Sequence, residues 1–277
     1  MNKQVEREIL KIYKAVYKKV FTNSSYKMLS TGSKSTIISR ILVLQSSKQY
    51  ETFCKEFAKR VAKKGLNKEK GLWKLYFEAA KKAGRIAITK PYKEYETEMM
   101  KLAIEHNFKM IKSIPTWMSE MVYHKYTDVL IEEVANGSLP RGSFKKSLES
   151  HAIKNAKLIA RTETAKLQTA IVENRCTNLG SVAYIWKSSN DVRTRPSHKE
   201  MNGVVVFWRK DQLKPMLDGM LGNAGEFPNC RCAPMAIFDE DDLKLNNYKV
   251  YDYLHHTIIN VTKKQLIEML KQNSITI

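Results

Sequence analysis

The residues able to do chemistry fall between positions 161 and 232. They are Arg161-Thr162-Glu163-Thr164, Asp191 with Arg193 and Arg195, His198, and Asn229-Cys230-Arg231-Cys232. His198, Cys230 and Cys232 form a borderline-to-soft donor set suited to zinc, and Asp191 adds an oxygen donor. The spacing runs against a zinc knuckle. Such a knuckle uses Cys-x2-Cys, whereas Cys-x-Cys in a strand sends both thiols to one face with a single residue between them. The favoured reading is therefore a packed core without metal, in which His, Asp, Arg and two small buried cysteines satisfy one another's hydrogen bonds. Structural zinc at His198, Cys230 and Cys232 is kept as the alternative.

The same set has two enzymatic readings. A cysteine nucleophile could use His198 as its base, or His198 could activate water beside Asp191 in a metal-dependent nuclease or toxin-like enzyme. Both lack parts. No second histidine lies near Asn229 to complete a histidine-asparagine-histidine nuclease, and no oxyanion element is identifiable. Gly219, Gly222 and Gly225 lack the strand-Gly-helix context of a phosphate cradle. No catalytic residue is assigned.

Elements that would position these groups can be read from periodicity. Val5, Ile9, Ile12, Tyr13, Val16 and Val20 recur at helical spacing, with lysines on the other side. A loop follows over 21–36, and then a second helical stretch. Residues 50–84 read as two Lys-rich helices interrupted near Gly65 and Gly71, and 86–90 as a short strand or extended connector stopped by Pro91. Helices are predicted over 97–112, 119–136 and 143–178, parted by Ile114-Pro115 and by Asn136-Gly137-Ser138-Leu139-Pro140, with Gly180 placed to end the last. The chain is expected to divide near residue 155, and its texture changes after Gly180. Val182, Tyr184 and Trp186 alternate with Ala183, Ile185 and Lys187, and 203–208 and 232–238 are further strands joined by a Gly-rich loop over 217–227. A final helix is predicted from Thr262, its cap, to Gln272. The predicted class is α+β: a mostly helical N-terminal region, then a small α+β domain with a short antiparallel sheet and a C-terminal helix. The expected divisions are 1–110 helical and Lys-rich, 111–240 the long helix with the β region, and 241–277 a helical tail.

Composition narrows the function. Hydrophobic residues at 43% and charged residues at 27% describe a chain that folds rather than a low-complexity or disordered one. No apolar run approaches the roughly 18 residues of a membrane span, so no membrane association is expected. The N-terminus lacks the pattern of a signal peptide, and four cysteines, with only Cys230 and Cys232 close together, point to a reduced compartment. Net charge is +20, carried mostly by lysine with eleven arginines, which makes nucleic acid the first partner to consider. Phosphate contacts of that kind carry affinity without sequence information.

Three motifs occur in order: Ile159-Ala160-Arg161-Thr162-Glu163-Thr164; then Trp186-x4-Asp191-x-Arg193-Thr194-Arg195-x2-His198-x4-Gly203; then Pro228-Asn229-Cys230-Arg231-Cys232. In this order they resemble the phage Mu F-like minor head proteins, a head-morphogenesis family, over roughly 110–236. The resemblance implies a virion or procapsid component present in few copies, made in the host cytoplasm and held in the particle interior. It would associate with the portal protein, with scaffold or major capsid protein as further neighbours, bind DNA non-specifically, and assist head assembly and DNA packaging or delivery. By resemblance Arg161, Glu163, Asp191, Arg195, His198, Asn229, Cys230 and Cys232 occupy signature positions. They are expected to knit the long helix to the β region, with Glu163 pairing Arg195 or Arg231 and His198 packing against the Cys-x-Cys strand. With about 40 residues following Cys232, no separate effector domain of the kind a toxin-like enzyme needs is expected.

Overall fold

The computed structural model describes residues 3–22, 34–83, 92–136, 141–209, 211 and 213–273. Helices run over Lys3–Val20 (α1), Lys34–Ser46 (α2), Lys48–Lys82 (α3), Tyr92–Asn136 (α4) and Arg141–Asn178 (α5). Beyond α5 come β1 (Ala183–Lys187), α6 (Pro196–Glu200), β2 (Val204–Phe207), β3 (Met216–Leu217), β4 (Met220–Leu221), β5 (Ala233–Ile237), β6 (Asn247–Asp252), β7 (Thr257–Thr262) and α7 (Lys263–Asn273). The class is α+β, as expected. Among the described residues no helix is long and apolar enough to cross a membrane. The chain divides into two compact units, one of residues 3–64 and 101–161, the other mainly of 65–100 and 162–277.

The first unit is helical. In α1 one face buries Val5, Ile9, Ile12, Tyr13 and Val16, together with the carboxylate of Glu8. That buried acid is not left alone: Lys64 at 2.8 Å, Arg60 at 3.3 Å and Lys11 at 3.4 Å surround it. The Lys64 hydrogen bond first, and then the charges of Lys64, Lys11 and Arg60, hold Glu8 below the usual carboxylate range against the opposing effect of burial.

Two expected helix breaks are absent. α3 passes through Gly65 and Gly71, because a single glycine costs only about 1 kcal/mol against alanine while Ala58, Val61, Ala62 and Leu66 are buried along the helix. α4 passes through Pro115. Proline has no N–H to donate to the carbonyl four residues back and crowds that turn. Here the freed Ile111 carbonyl accepts from the Tyr50 hydroxyl at 2.6 Å, and the Lys112 carbonyl accepts from Gln45 Nε2 at 3.0 Å. A neighbouring segment thus replaces what the helix lacks. The strand or connector expected over 86–90 and most of the 136–140 break lie outside the described residues.

In the second unit α5 ends as predicted. Gly180, with φ +84°, lets Ser181 N donate to the Cys176 carbonyl and Gly180 N to that of Thr177, the Schellman arrangement. The sheet that follows is five-stranded in the order β5-β1-β2-β6-β7. It is mixed rather than antiparallel, because β2 and β6 pair in parallel while the other neighbours are antiparallel. The expected helical tail supplies two of its strands. β6 and β7 form a hairpin before α7, which Thr262 and Gln265 start with a reciprocal capping box. Both faces of β1 and β2 are covered. Leu266 and Leu270 of α7 pack with Ala183, Val205, Phe207 and Val250, while Tyr184, Trp186, Val204 and Val206 face a second core containing Phe227, Cys230 and Cys232.

Candidate functional site around His198, Cys230 and Cys232

The second core holds the only His/Cys/Asp/Glu cluster among the described residues whose donor atoms converge as metal ligands would. His198 comes from α6, Cys230 and Cys232 from the loop before β5. The thiols therefore precede the strand in which they were expected, which starts at Ala233. His198 Nδ1 lies 3.4 Å from Cys230 Sγ and 3.4 Å from Cys232 Sγ. The Cys232 backbone N–H donates to Cys230 Sγ at 3.4 Å. His198 is 3% exposed, Cys230 6% and Cys232 7%.

The hydrogen bond with Cys232, and then His198, hold Cys230 below the usual thiol range. Cys232 is pushed up, first by its bond to Cys230 and then by burial. Aromatic rings fix the imidazole: Trp186 and Phe227 meet it edge-on at centroid distances of 5.8 and 4.9 Å.

A frame of polar contacts places the loop and the short helix. Asp191 organises the turn before α6, accepting from Arg193 N at 3.0 Å and from Thr194 Oγ1 at 3.2 Å. It also takes both guanidinium nitrogens of Arg231, the residue between the two cysteines. This bidentate pair is what holds the Asp191 carboxyl well below its usual range. Arg195 Nη2 donates to the Pro228 carbonyl at 2.8 Å, and Asn229 N donates to Thr162 Oγ1 of α5 at 3.1 Å, so the start of the loop is tied both to the N-terminal end of α6 and to α5. Asn229 itself sits at φ +57°.

The partners expected for Glu163 are corrected. Arg231 goes to Asp191 and Arg195 to Pro228, while Glu163 pairs with Lys166, one turn along its own helix, at 3.0 Å. Arg161 belongs to the helical unit, where it meets Glu6 at 3.2 Å.

Three contributors were not anticipated. Asp218 is the most informative: its Oδ1 accepts from Ser197 at 2.8 Å, and its Oδ2 lies 3.7 Å from Arg195 Nη1 and 3.9 Å from His198 Nε2. It occupies the turn of the β3–β4 hairpin with Gly219, at φ +52° and +73°. Asp-Gly between two Met-Leu pairs was the available signal for that turn. Gly225, at φ +98°, lets the loop cross α5, where Thr169 donates to the Ala224 carbonyl at 2.7 Å. Thr162 was quoted only as part of a motif. A cavity of about 310 Å³ adjoins the cysteines, lined also by Tyr76, Thr169, Arg231 and Pro234.

The ordered motifs are thus one physical assembly, with the helix, turn and loop bonded to each other. Residues 124–235 match the phage Mu protein F-like family. The matched segment runs from within α4 into β5 and contains the whole His/Cys cluster, and the family is the one the motifs implied. An uncharacterized protein of Haemophilus influenzae Rd is 27% identical over 151 residues, covering 54% of this chain. The chain spans about a third of the length of that relative, 32%. No solved structure matches.

Proposed function

We propose that this chain is a phage minor head protein, held at few copies in the procapsid and virion interior, where it contacts the portal protein and binds packaged DNA without sequence preference. The observation that carries the reading is the family match over 124–235, whose three motifs form the one bonded assembly described above. Charge supports the DNA part. Exposed Lys3, Arg7, Lys11, Lys14 and Lys18 recur along α1. At 100° and 1.5 Å per residue they fall within an arc of about 80° over roughly 22 Å, opposite the buried face. The acidic residues of α1 do not interrupt the row, since Glu8 is buried and Glu6 is paired with Arg161. Exposed Lys55, Lys59 and Lys63 repeat the pattern on α3. A basic surface of this kind attracts phosphate by releasing counterions and reads no base.

Particle association tests the proposal. Procapsids and virions carrying the full-length chain are separated on a density gradient, and the chain is quantified against the portal protein by mass spectrometry. The chain is expected in both fractions at a fixed, small ratio to portal. Its absence from procapsids that contain portal would overturn the reading.

A further inference from the structure

We propose that His198 Nδ1, Cys230 Sγ and Cys232 Sγ bind one zinc ion that clamps α6 to the loop before β5. The argument rests on geometry and on donor chemistry, and is independent of the role in the head. A neutral imidazole nitrogen has one proton or one lone pair, enough for one good hydrogen bond. Here both sulfurs lie 3.4 Å from the same nitrogen, which is redundant for hydrogen bonding. The convergence is what a metal requires: with Zn–N near 2.0–2.1 Å and Zn–S near 2.3 Å in a tetrahedral site, nitrogen and sulfur stand about 3.5 Å apart.

The surroundings are those of a metal-bound thiolate pair. Cys230 Sγ receives the Cys232 N–H at 3.4 Å. The indole N–H of Trp186, buried in the same core, makes no hydrogen bond to the described residues. A histidine bound through Nδ1 must carry its proton on Nε2, and metal-ligating histidines direct that proton to a carboxylate, carbonyl or water. His198 Nε2 makes no hydrogen bond to the described residues, and Asp218 Oδ2 faces it at 3.9 Å, with Ser197 and Arg195 against the same carboxylate. Zinc neutralises the charge that two buried thiolates would otherwise carry. The Cys-x-Cys spacing is accommodated because the pair lies in a loop rather than in a strand, and among the described residues these three donors form the converging set. Cys54 and Cys176, the other free cysteines, are also buried and lie outside the cluster.

The full-length chain, produced with zinc present and purified reduced without chelator, is analysed for zinc and, after depletion, titrated with cobalt(II). One zinc per chain is expected in the wild type and in Cys54→Ala, falling below a tenth in Cys230→Ser, Cys232→Ser and His198→Ala. Cobalt should give a thiolate-to-metal charge-transfer band in the depleted wild type that one equivalent of zinc abolishes. That readout stands even where the cysteine variants fail to fold. A folded wild type that holds well under one equivalent of zinc and develops no charge-transfer band overturns the proposal. So does a Cys230→Ser/Cys232→Ser double variant that retains both.

Discussion

Replacing Lys3, Arg7, Lys11, Lys14 and Lys18 together with glutamine removes the α1 row while leaving its buried face untouched. Glutamine is a good helix former, and changes at exposed positions of this kind typically move stability by no more than about 0.5 kcal/mol each. The row is roughly 22 Å long, and one DNA strand presents a phosphate every 3.4 Å or so along the axis, so about six phosphates pass beneath it. Each cation therefore has a phosphate available. Lys11 already sits 3.4 Å from Glu8, which leaves four cations with full effect. Each phosphate neutralised contributes about 0.9 to the slope of log affinity against log salt. The variant's slope should thus be shallower by about 3.6. Between 50 and 200 mM salt this means the wild type loses roughly 150-fold more affinity than the variant does. Fluorescence anisotropy with two unrelated 30-bp duplexes, read across that range, measures it. Both duplexes should give the same slopes. A variant that retains its helical circular dichroism and whose slope changes by less than about 1 refutes the assignment of DNA binding to this row.

Tyr50→Phe should cost about 1–3 kcal/mol, because the buried Ile111 carbonyl freed by Pro115 loses its donor. In a Pro115→Ala background the restored N–H at 115 should shrink that loss below about 0.5 kcal/mol, as shifts in urea midpoint would show in a double-mutant cycle. Gly225→Ala should lower stability by at least about 2 kcal/mol in thermal melting, since it combines a strained φ with a clash. A Cβ there would lie 2.6 Å from Thr169 Oγ1 and 3.1 Å from the Cys232 carbonyl, whereas at Gly222, whose φ is not positive, the nearest atoms are the Phe227 ring at 3.0 Å and Glu226 Cβ at 3.3 Å, so Gly222→Ala should lose less. Glu173 is pushed above the usual carboxylate range by burial, with Glu226 reinforcing and Lys214 opposing. The folded state then binds this proton more tightly than the unfolded state, so stability falls as pH rises from the ordinary glutamate value through the raised one. Glu173→Gln should flatten that fall and be the more stable protein at pH 7, as parallel urea titrations across pH would show.

What could be read from the chain alone was local. The 143–178 helix rests on apolar spacing within itself and on Gly180 just beyond it, and the last helix on Thr262 and Gln265, so sequence neighbours carry all the information. The strands at 183–187 and 204–207 likewise announce themselves by composition, and the order of the three motifs pointed to the family. Elsewhere partners distant in sequence decided the outcome. Pro115 does not end its helix, because the Tyr50 hydroxyl, more than sixty residues away, takes the Ile111 carbonyl it frees and Gln45 adds a bond to the next carbonyl, that of Lys112. β6 and β7 were missed because polar residues such as Thr257, Asn260 and Thr262 give little signal for a strand, and their place depends on β2 offering an edge. At the site, residue types nominated His198, Cys230 and Cys232, but one residue between the thiols argued against a metal. Only the fold, by ending the loop before β5 and bringing α6 across it, places both sulfurs at one nitrogen. The arginine partners followed the same rule: Asp191 caps its own turn and so faces Arg231, leaving Glu163 to Lys166. Spacing along a chain fixes which side chains share a helix face or a strand face, while pairing between elements is set by packing, where burial makes each unsatisfied polar group choose the nearest partner.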